Sequence, residues 1–238
     1  MRIFDARIDN FSRDEIIAAV DHMLDEPRFH QIATINPEFL LLARENEIFK
    51  QTLNSCDLNI ADGFGLHLAF WRQREKLRGR FPGVDLMQAI LARAEEEKSS
   101  VFLVARQDGL STWKATAVAI LKLYPTLKIS GIFAHTGSKD FSKVYDRARE
   151  YDIVFCNFGA PYQEYFLEGL RQNLGRVRLS MGVGGSFDYI SGKIRRAPLW
   201  MRVVGLEWLW RLIRQPKRWR RIWNAVFVFL WKLLVIRN

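Results

Sequence analysis

The chain has 238 residues, of which 36 are Lys or Arg and 26 are Asp or Glu, and 49% of its residues are hydrophobic. This composition excludes an intrinsically disordered chain, and the length allows one large domain, alone or with an appendage. Cys56 and Cys156 lie far apart, and the four histidines show no zinc-ligand spacing. We therefore expect no disulfide scaffold and no zinc site, which fits a reducing cytoplasm. The charged N-terminus does not have the apolar segment of a signal peptide.

Short apolar segments typical of buried parallel strands alternate with segments of helical length. The predicted strands are 32–35, 57–61, 101–105, 128–133, 151–158 and 177–183, of which 128–133 has the weakest pattern. The predicted helices include one after Ser12, whose spacing to Glu15 is that of a capping box, and 37–53, 84–98, 110–122, 138–150 and 162–174. This alternation predicts an α/β fold with a Rossmann-like, mostly parallel sheet and helices on both of its faces.

Polar or glycine-rich residues follow four of the predicted strands. They are Thr34, Asn36, Asp62, the segment from Gly159 to Glu164, and the segment from Gly184 to Asp188. Ligands of parallel sheets bind beyond the carboxyl ends of the strands, so we expect these residues to form one site. Each also has a simpler interpretation, since Asp62 and Asn36 could be helix N-caps and the glycines a tight turn.

The positive charge of the chain lies at its C-terminus. Residues 193–238 carry a formal charge of +11 and six of the eight tryptophans, whereas residues 1–192 carry −1. We predict an α/β catalytic core at 1–195 and a helical, basic, Trp-rich appendage at 196–238.

The apolar segment 225–236 of this appendage has 12 residues, whereas a membrane-spanning helix needs about 20. The composition instead favours a helix in the membrane interface. The expected membrane contacts are Trp219, Trp223, Phe227, Leu230 and Trp231. Packing on the core and oligomerisation are the alternatives. Nucleic-acid binding fits the charge but not the apolar end.

Six sequence blocks occur in one order: ADGFG, RFPGVDL, GAPYQE, GVGGSFD, SGKIRRAP and GLEWLWRLIRQPKRWRR. With them, the chain resembles the WecG/TagA/CpsF bacterial glycosyltransferases, glycosyltransferase family 26, over almost its whole length. The resemblance implies an inverting, metal-independent transfer of a sugar from a UDP-sugar to a sugar on polyprenyl diphosphate. It also implies a peripheral enzyme of bacterial cell-surface polysaccharide synthesis, at the cytoplasmic face of the inner membrane.

The resemblance further implies roles for individual residues. Asp62 matches the proposed catalytic base, and Thr34, Asn36 and Gln163 match residues of the same pocket. Donor-nucleotide binding is expected of Arg80, Asp85, Gly159, Ala160, Pro161, Glu164, Gly184, Gly185, Ser186, Phe187 and Asp188. Contact with the diphosphates or the acceptor is expected of Arg211, Arg218 and Arg221.

The sequence has no Asp-x-Asp pair, so we expect neither a metal ion nor a cofactor, and arginines would bind the diphosphate. The chain departs from the family pattern at Ala105-Arg106 and at 134–137, which leaves the sugar open among N-acetylmannosamine, its uronic acid and a hexose. Another nucleotide-dependent α/β enzyme at the membrane surface remains the alternative. The first predicted strand, however, lacks the glycine-rich turn of dinucleotide-binding and related folds.

Overall fold

The computed structural model describes residues 1–173, 175–216 and 219–235, except for the side chain of Arg221. Within these residues, a six-stranded parallel sheet has the strand order β4-β3-β8-β7-β5-β6, and a small antiparallel pair, β1 and β2, lies apart from it. The strands are β1 (Arg2–Ile3), β2 (Ala6–Arg7), β3 (His30–Ile35), β4 (Leu58–Ala61), β5 (Ser100–Arg106), β6 (Lys128–Ala134), β7 (Ile153–Cys156) and β8 (Leu179–Gly182). The predicted α/β class and all six predicted strands are confirmed.

Helices connect the strands. They are α1 (Arg13–Asp25), α2 (Pro37–Glu45), α3 (Glu47–Ser55), α4 (Gly65–Arg72), α5 (Gly83–Glu96), α6 (Trp113–Leu121), α7 (Ser142–Ala148), α8 (Tyr162–Arg171) and α9 (Ser186–Ile190). The capping box of Ser12 and Glu15 is present at the start of α1, as predicted.

The prediction of one helix over 37–53 is wrong, because the segment forms α2 and α3 with Asn46 between them. Asn46 has an extended backbone, with φ −131° and ψ 103°, and its side chain accepts a hydrogen bond from the amide of Phe49. Asn46 thus ends one helix and caps the next. Its side chain competes with the helical backbone for hydrogen bonds, as Asn side chains commonly do.

Successive side chains of each strand point to opposite faces of the sheet, as the geometry of a strand requires. One cluster of buried side chains lies on the first face and two lie on the second. On β3, Ile32 packs with α1, α5 and α6, whereas Ala33 and Ile35 pack with α2, α3 and α4 on the other face. On β5, Leu103 belongs to the first core, and Val104 to a third cluster with α7 and α8. Helices therefore cover both faces of the sheet, as predicted.

The C-terminal segment forms a series of short helices. They are α10 (Leu199–Val203), α11 (Glu207–Arg214), α12 (Trp219–Trp223), a π-helical turn (Asn224–Val228) and α13 (Phe229–Val235). Gly205, with φ +80°, separates α10 from α11, and α11 ends before Gln215 and Pro216. The helical appendage predicted at 196–238 is thus interrupted twice, at Gly205 and after α11. None of the helices in the described ranges is long and apolar enough to cross a membrane. The division of the chain at 195/196 stays a prediction.

The last helix packs on the core through Phe229. This ring is fully buried and lies edge-on to Phe4, with 6.1 Å between ring centroids and an interplanar angle of 79°. Leu233, one turn further on, is buried in the same cluster, and Lys232 forms an ion pair with Glu45 of α2. The contact of α13 with α2 therefore holds the C-terminal helices against the core.

We expect Phe229→Ala to release the C-terminal helices while the α/β core stays folded. Truncating a buried Phe costs about 3–5 kcal/mol, and here this cost falls on the contact between α13 and the core. Limited trypsin digestion should then cleave the Lys- and Arg-rich tail much faster than in the wild type. Trp231→Ala, at a side chain that is 68% exposed, is the matched control. Equal cleavage rates for the two variants would contradict this account of the packing.

Candidate active site

A cleft of about 820 Å³ opens at the carboxyl ends of five neighbouring strands. Asn36 follows β3, Asp62 follows β4, Asn157 follows β7 and Val183 follows β8, while Arg106 is the last residue of β5. The order β4-β3-β8-β7-β5 brings these residues to one edge of the sheet. The residues after these strands therefore lie in one site, as the sequence predicted.

Asp62 lies half-buried in the wall of this cleft. Its Oδ2 accepts a hydrogen bond of 3.2 Å from the amide of Gly83. Burial raises the pKa of the Asp62 carboxyl to about 6, and the nearby Glu207 acts in the same direction, whereas the amide of Gly83, Arg80 and Arg211 lower it. Asp62 is not the N-cap of α4, because Phe64 occupies that position without a side-chain bond. A carboxylate with this pKa can exchange a proton near neutral pH.

Thr34 and Asn36 line the cleft beside Asp62. A Cβ atom on Gly83 would lie 3.3 Å from Oγ1 of Thr34 and 3.8 Å from Oδ2 of Asp62, so this glycine lets α5 begin directly against the pair. Oδ1 of Asn36 accepts hydrogen bonds from the amides of Glu38 and Phe39, at 2.9 and 3.1 Å. Asn36 is thus both the N-cap of α2 and a residue of the cleft.

The buried side chain of Gln163 connects the two glycine-rich loops. Its Oε1 accepts hydrogen bonds of 3.0 Å from the amides of Gly159 and of Gly184. Its Nε2 donates a 2.7 Å hydrogen bond to Oε1 of Glu164. A Cβ on Gly182 would lie 2.3 Å from Nε2 of Gln163, so a larger residue at this strand end would displace the Gln163 side chain from its hydrogen bonds. Gln163 therefore fixes the distance between the loops that follow β7 and β8.

Glu164 is 1% exposed and lies behind the loops. Burial raises the pKa of this carboxyl to about 8, whereas the hydrogen bond from Gln163 opposes the rise. Its Oε2 is buried without a hydrogen-bond partner among the described residues. The burial and the high pKa both favour the neutral acid at pH 7.

Arginine side chains also line the cleft. Arg211 of α11 donates two hydrogen bonds to Oη of Tyr189, from Nε at 3.0 Å and from Nη2 at 2.5 Å. Arg80 donates from Nη2 to the carbonyl oxygen of Arg202 at 3.1 Å. Arg80, Arg106 and Arg211 thus bring positive charge to the cleft that contains Asp62. Fixed guanidinium groups suit phosphate oxygens.

An ion-pair network joins α5, the segment before α10, and α11. The guanidinium of Arg196 binds both carboxylate oxygens of Asp85, and its Nη2 lies 2.9 Å from Oδ2. Nε of Arg196 lies 3.5 Å from Oε1 of Glu207. Burial works against the charge of Asp85, but the hydrogen bonds from Arg196 hold its pKa below the usual value. The network fixes the start of α11 and therefore the approach of Arg211 to the cleft.

The structure divides the predicted donor-binding residues into two groups. Seven line the cleft: Arg80, Gly159, Ala160, Gly184, Gly185, Ser186 and Asp188. The other four, Asp85, Pro161, Glu164 and Phe187, are outside the cleft wall formed by the described residues. Phe187 is fully buried in the core beneath it. Asp188 accepts a 2.7 Å hydrogen bond from Ser111 Oγ.

The residues predicted to act in the C-terminal appendage also lie in different places. Arg211 lines the cleft, whereas Arg218 and the side chain of Arg221 lie outside the described residues. Trp219, Trp223, Phe227 and Trp231 are exposed, but Leu230 lines the cleft and packs on the core.

Arg106, Asn157, Tyr189 and Glu207 are among the cleft residues that the sequence prediction did not name. The predicted strand 151–158 is too long, since β7 ends at Cys156. Asn157 was therefore assigned to the strand and was not recognised as a residue that follows it. Oδ1 of Asn157 accepts a 2.7 Å hydrogen bond from the amide of Arg106. Tyr189 directly follows the GGSFD block, so a prediction that extended this block by one residue would have included it.

The sequence comparisons agree on one family. The family described as "Glycosyl transferase WecG/TagA/CpsF family" matches residues 1–238. The chain is similar to the N-acetylglucosaminyldiphosphoundecaprenol N-acetyl-beta-D-mannosaminyltransferase of Bacillus subtilis, with 33% identity over 84% of this chain and 78% of the relative. A protein of the same name from Bacillus spizizenii is 32% identical over 90% and 84% of the two chains. One from Staphylococcus aureus is 28% identical over 85% and 78%.

We expect Glu164→Gln to make the protein less sensitive to alkaline pH. The native state keeps a proton on Glu164 up to about pH 8, whereas an unfolded Glu loses it near pH 4.5. The free energy of unfolding should therefore fall as the pH rises between these values. The variant should lack this fall and be more stable than the wild type at pH 8, by several kcal/mol, since one pKa unit corresponds to about 1.4 kcal/mol.

Urea unfolding at pH 5 and pH 8 measures this difference. Glu75→Gln, at an exposed side chain, is the control and should keep the pH dependence of the wild type. If Glu164→Gln also keeps it, the buried carboxyl is charged in the native state.

Proposed function

Because the chain belongs to the WecG/TagA/CpsF family of glycosyltransferases, we propose that it transfers a sugar from a UDP-sugar to a sugar carried on polyprenyl diphosphate. The transfer inverts the donor carbon and needs no metal ion or other cofactor. The relatives' names support this acceptor class and make N-acetylmannosamine the first donor sugar to test. Its uronic acid and a hexose are the other candidates. The product serves cell-surface polysaccharide synthesis.

The observation that carries this proposal is Asp62, which lines one cleft together with Arg80 and Arg211 and is close enough to both for their charges to lower its pKa. In the proposed step, the carboxylate of Asp62 takes the proton of the acceptor hydroxyl, and the hydroxyl oxygen bonds to the anomeric carbon of the donor. The bond from that carbon to the diphosphate breaks, and its electron pair leaves with UDP. A raised pKa of about 6 makes Asp62 a better base than an ordinary aspartate and leaves it mostly ionised at pH 7.

The leaving diphosphate departs as an anion and needs positive charge rather than a second carboxyl as an acid. Arg211, held by Tyr189, and Arg80 supply that charge from the cleft wall. Gly184 and Gly185 add a backbone turn after β8 at which amide groups can approach a phosphate. Thr34 and Asn36 lie beside Asp62, where they can orient a sugar.

We propose that the C-terminal helices bind the cytoplasmic face of the bacterial inner membrane peripherally. Trp219, Trp223, Phe227 and Trp231 are each 48–68% exposed and recur at every fourth residue. The net charge of +11 over 193–238 would attract anionic lipid, at about 1 kcal/mol for each Lys or Arg near the surface. This position would bring the cleft to an acceptor held in the bilayer.

The direct test is product analysis with a panel of UDP-sugars and a short-chain polyprenyl-diphosphate acceptor, with and without EDTA. We expect one glycosidic product with inverted configuration, in equal yield with the chelator. A yield that disappears in EDTA and returns with Mg²⁺ would show that the enzyme needs a metal ion. Transfer to no acceptor, together with binding of S-adenosylmethionine or NAD rather than UDP, would favour another nucleotide-dependent enzyme.

We expect Asp62→Asn to lower kcat by roughly 10²–10⁴-fold, the usual contribution of a positioned base, while the affinity for UDP changes only a few-fold. In the wild type, kcat/KM should rise with pH through an apparent pKa of about 6, because only the ionised carboxyl accepts the proton. The variant should lack this rise of kcat/KM with pH. A folded variant with the turnover of the wild type would remove Asp62 from the mechanism.

A further inference from the structure

Part of the cleft wall, here called the apolar end, is formed by apolar side chains. It consists of side chains from α2 and α4 on one side and from the C-terminal helices on the other. They are Phe39, Leu68, Ile222, Ala225, Val226 and Leu230. The charged end contains Asp62, Arg80 and Arg211. One continuous cavity therefore combines a polar and an apolar half.

The C-terminal helices present two apolar faces. The outer face carries the exposed row of Trp219, Trp223, Phe227 and Trp231, and the inner face points to the core. On the inner face, Phe229 and Leu233 are buried in the core and hold the helices in place. Ala225 and Val226 are only half-buried and line the cavity instead, whereas Leu230 lines the cavity and also packs on the core. Ala225 and Val226 do not anchor the helix, so their apolar surface is available to a ligand.

From this arrangement we propose that the apolar end is a subsite for the hydrocarbon chain of the acceptor, next to its diphosphate. The inference rests on the proposed function and assigns the acceptor lipid its place in the same cleft. A UDP-sugar has apolar surface mainly on the faces of its uracil ring and no hydrocarbon chain that could cover this wall. The acceptor lipid is charged at its diphosphate and apolar beyond it, which matches the two halves of the cavity. The same helices thus line the subsite with their inner face and carry the exposed aromatic row on their outer face.

A series of acceptors with prenyl chains of increasing length tests this proposal. Each is used below its micelle concentration and in the absence of membranes, so that the outer face plays no part. For the wild type, we expect KM for the acceptor to fall as isoprene units are added. Leu68→Ser and Val226→Ser should each raise KM for the long-chain acceptor roughly tenfold, the usual effect of a lost apolar contact in a pocket. KM for the donor and for a single-isoprene acceptor should stay near the wild-type values.

Two further variants separate the subsite from general effects on folding. Ala225→Leu adds volume to the wall without removing a packing contact, and it should also raise KM selectively for long chains. Leu234→Ser is the matched control for Val226→Ser, since Leu234 lies on α13 and is 62% exposed. It should leave the dependence on chain length unchanged. Thermal unfolding of each variant verifies that the fold is intact.

The outcomes distinguish this inference from the proposed function. If the wild type transfers sugar but the variants alter KM equally for all chain lengths, or not at all, the apolar subsite is wrong and the proposed function stands. If Ala225→Leu leaves the chain-length dependence unchanged, the subsite is equally wrong. If the wild type transfers sugar to none of the acceptors, the proposed function itself fails.

Discussion

Parallel strands all end at the same edge of a sheet, and the polar contacts of the cleft begin at that edge. The loops after β7 and β8 cannot pair with each other as strands do, so their amides need another acceptor. The carboxamide of Gln163 supplies it for Gly159 and Gly184 together. After β4, Oδ2 of Asp62 accepts a hydrogen bond from the amide of Gly83 in the same way. Side-chain acceptors at strand ends thus hold the loops that form the cleft, and Arg80, Arg106 and Arg211 line the same cleft.

Two carboxyl groups near this edge are both affected by burial, but to different extents. Asp62 keeps one side on the cleft, near Arg80 and Arg211, and its pKa rises only to about 6. Glu164 lies behind the loops, where burial raises its pKa to about 8. Near neutral pH, the first is mostly ionised and the second mostly protonated. The fold therefore places a usable base in the cleft and keeps the charge of Glu164 out of the wall behind it.

The strands could be predicted from the sequence because buried parallel strands are continuous apolar segments, and Asp62 could be predicted because it directly follows one of them. The helix boundaries were harder. Asn46 divides a segment of helical composition, and Gly205 interrupts the tail, because single residues with special backbone conformations decide where a helix ends. Contacts between distant segments leave no local pattern. Neither the bonds from Arg211 to Tyr189 nor the position of Leu230 in the cleft wall was therefore predictable.

The ion pairs of Arg196 with Asp85 and Glu207 connect three of the six sequence blocks, RFPGVDL, SGKIRRAP and GLEW. A charge lost at one of these positions leaves a half-buried partner unneutralised, which is more costly than the loss of a surface charge. In evolution, the three positions should therefore change together or not at all. Homologues that replace Arg196 with a neutral residue should also have lost the acid at the position of Asp85, and such paired replacements would be visible as correlated columns in an alignment of the family.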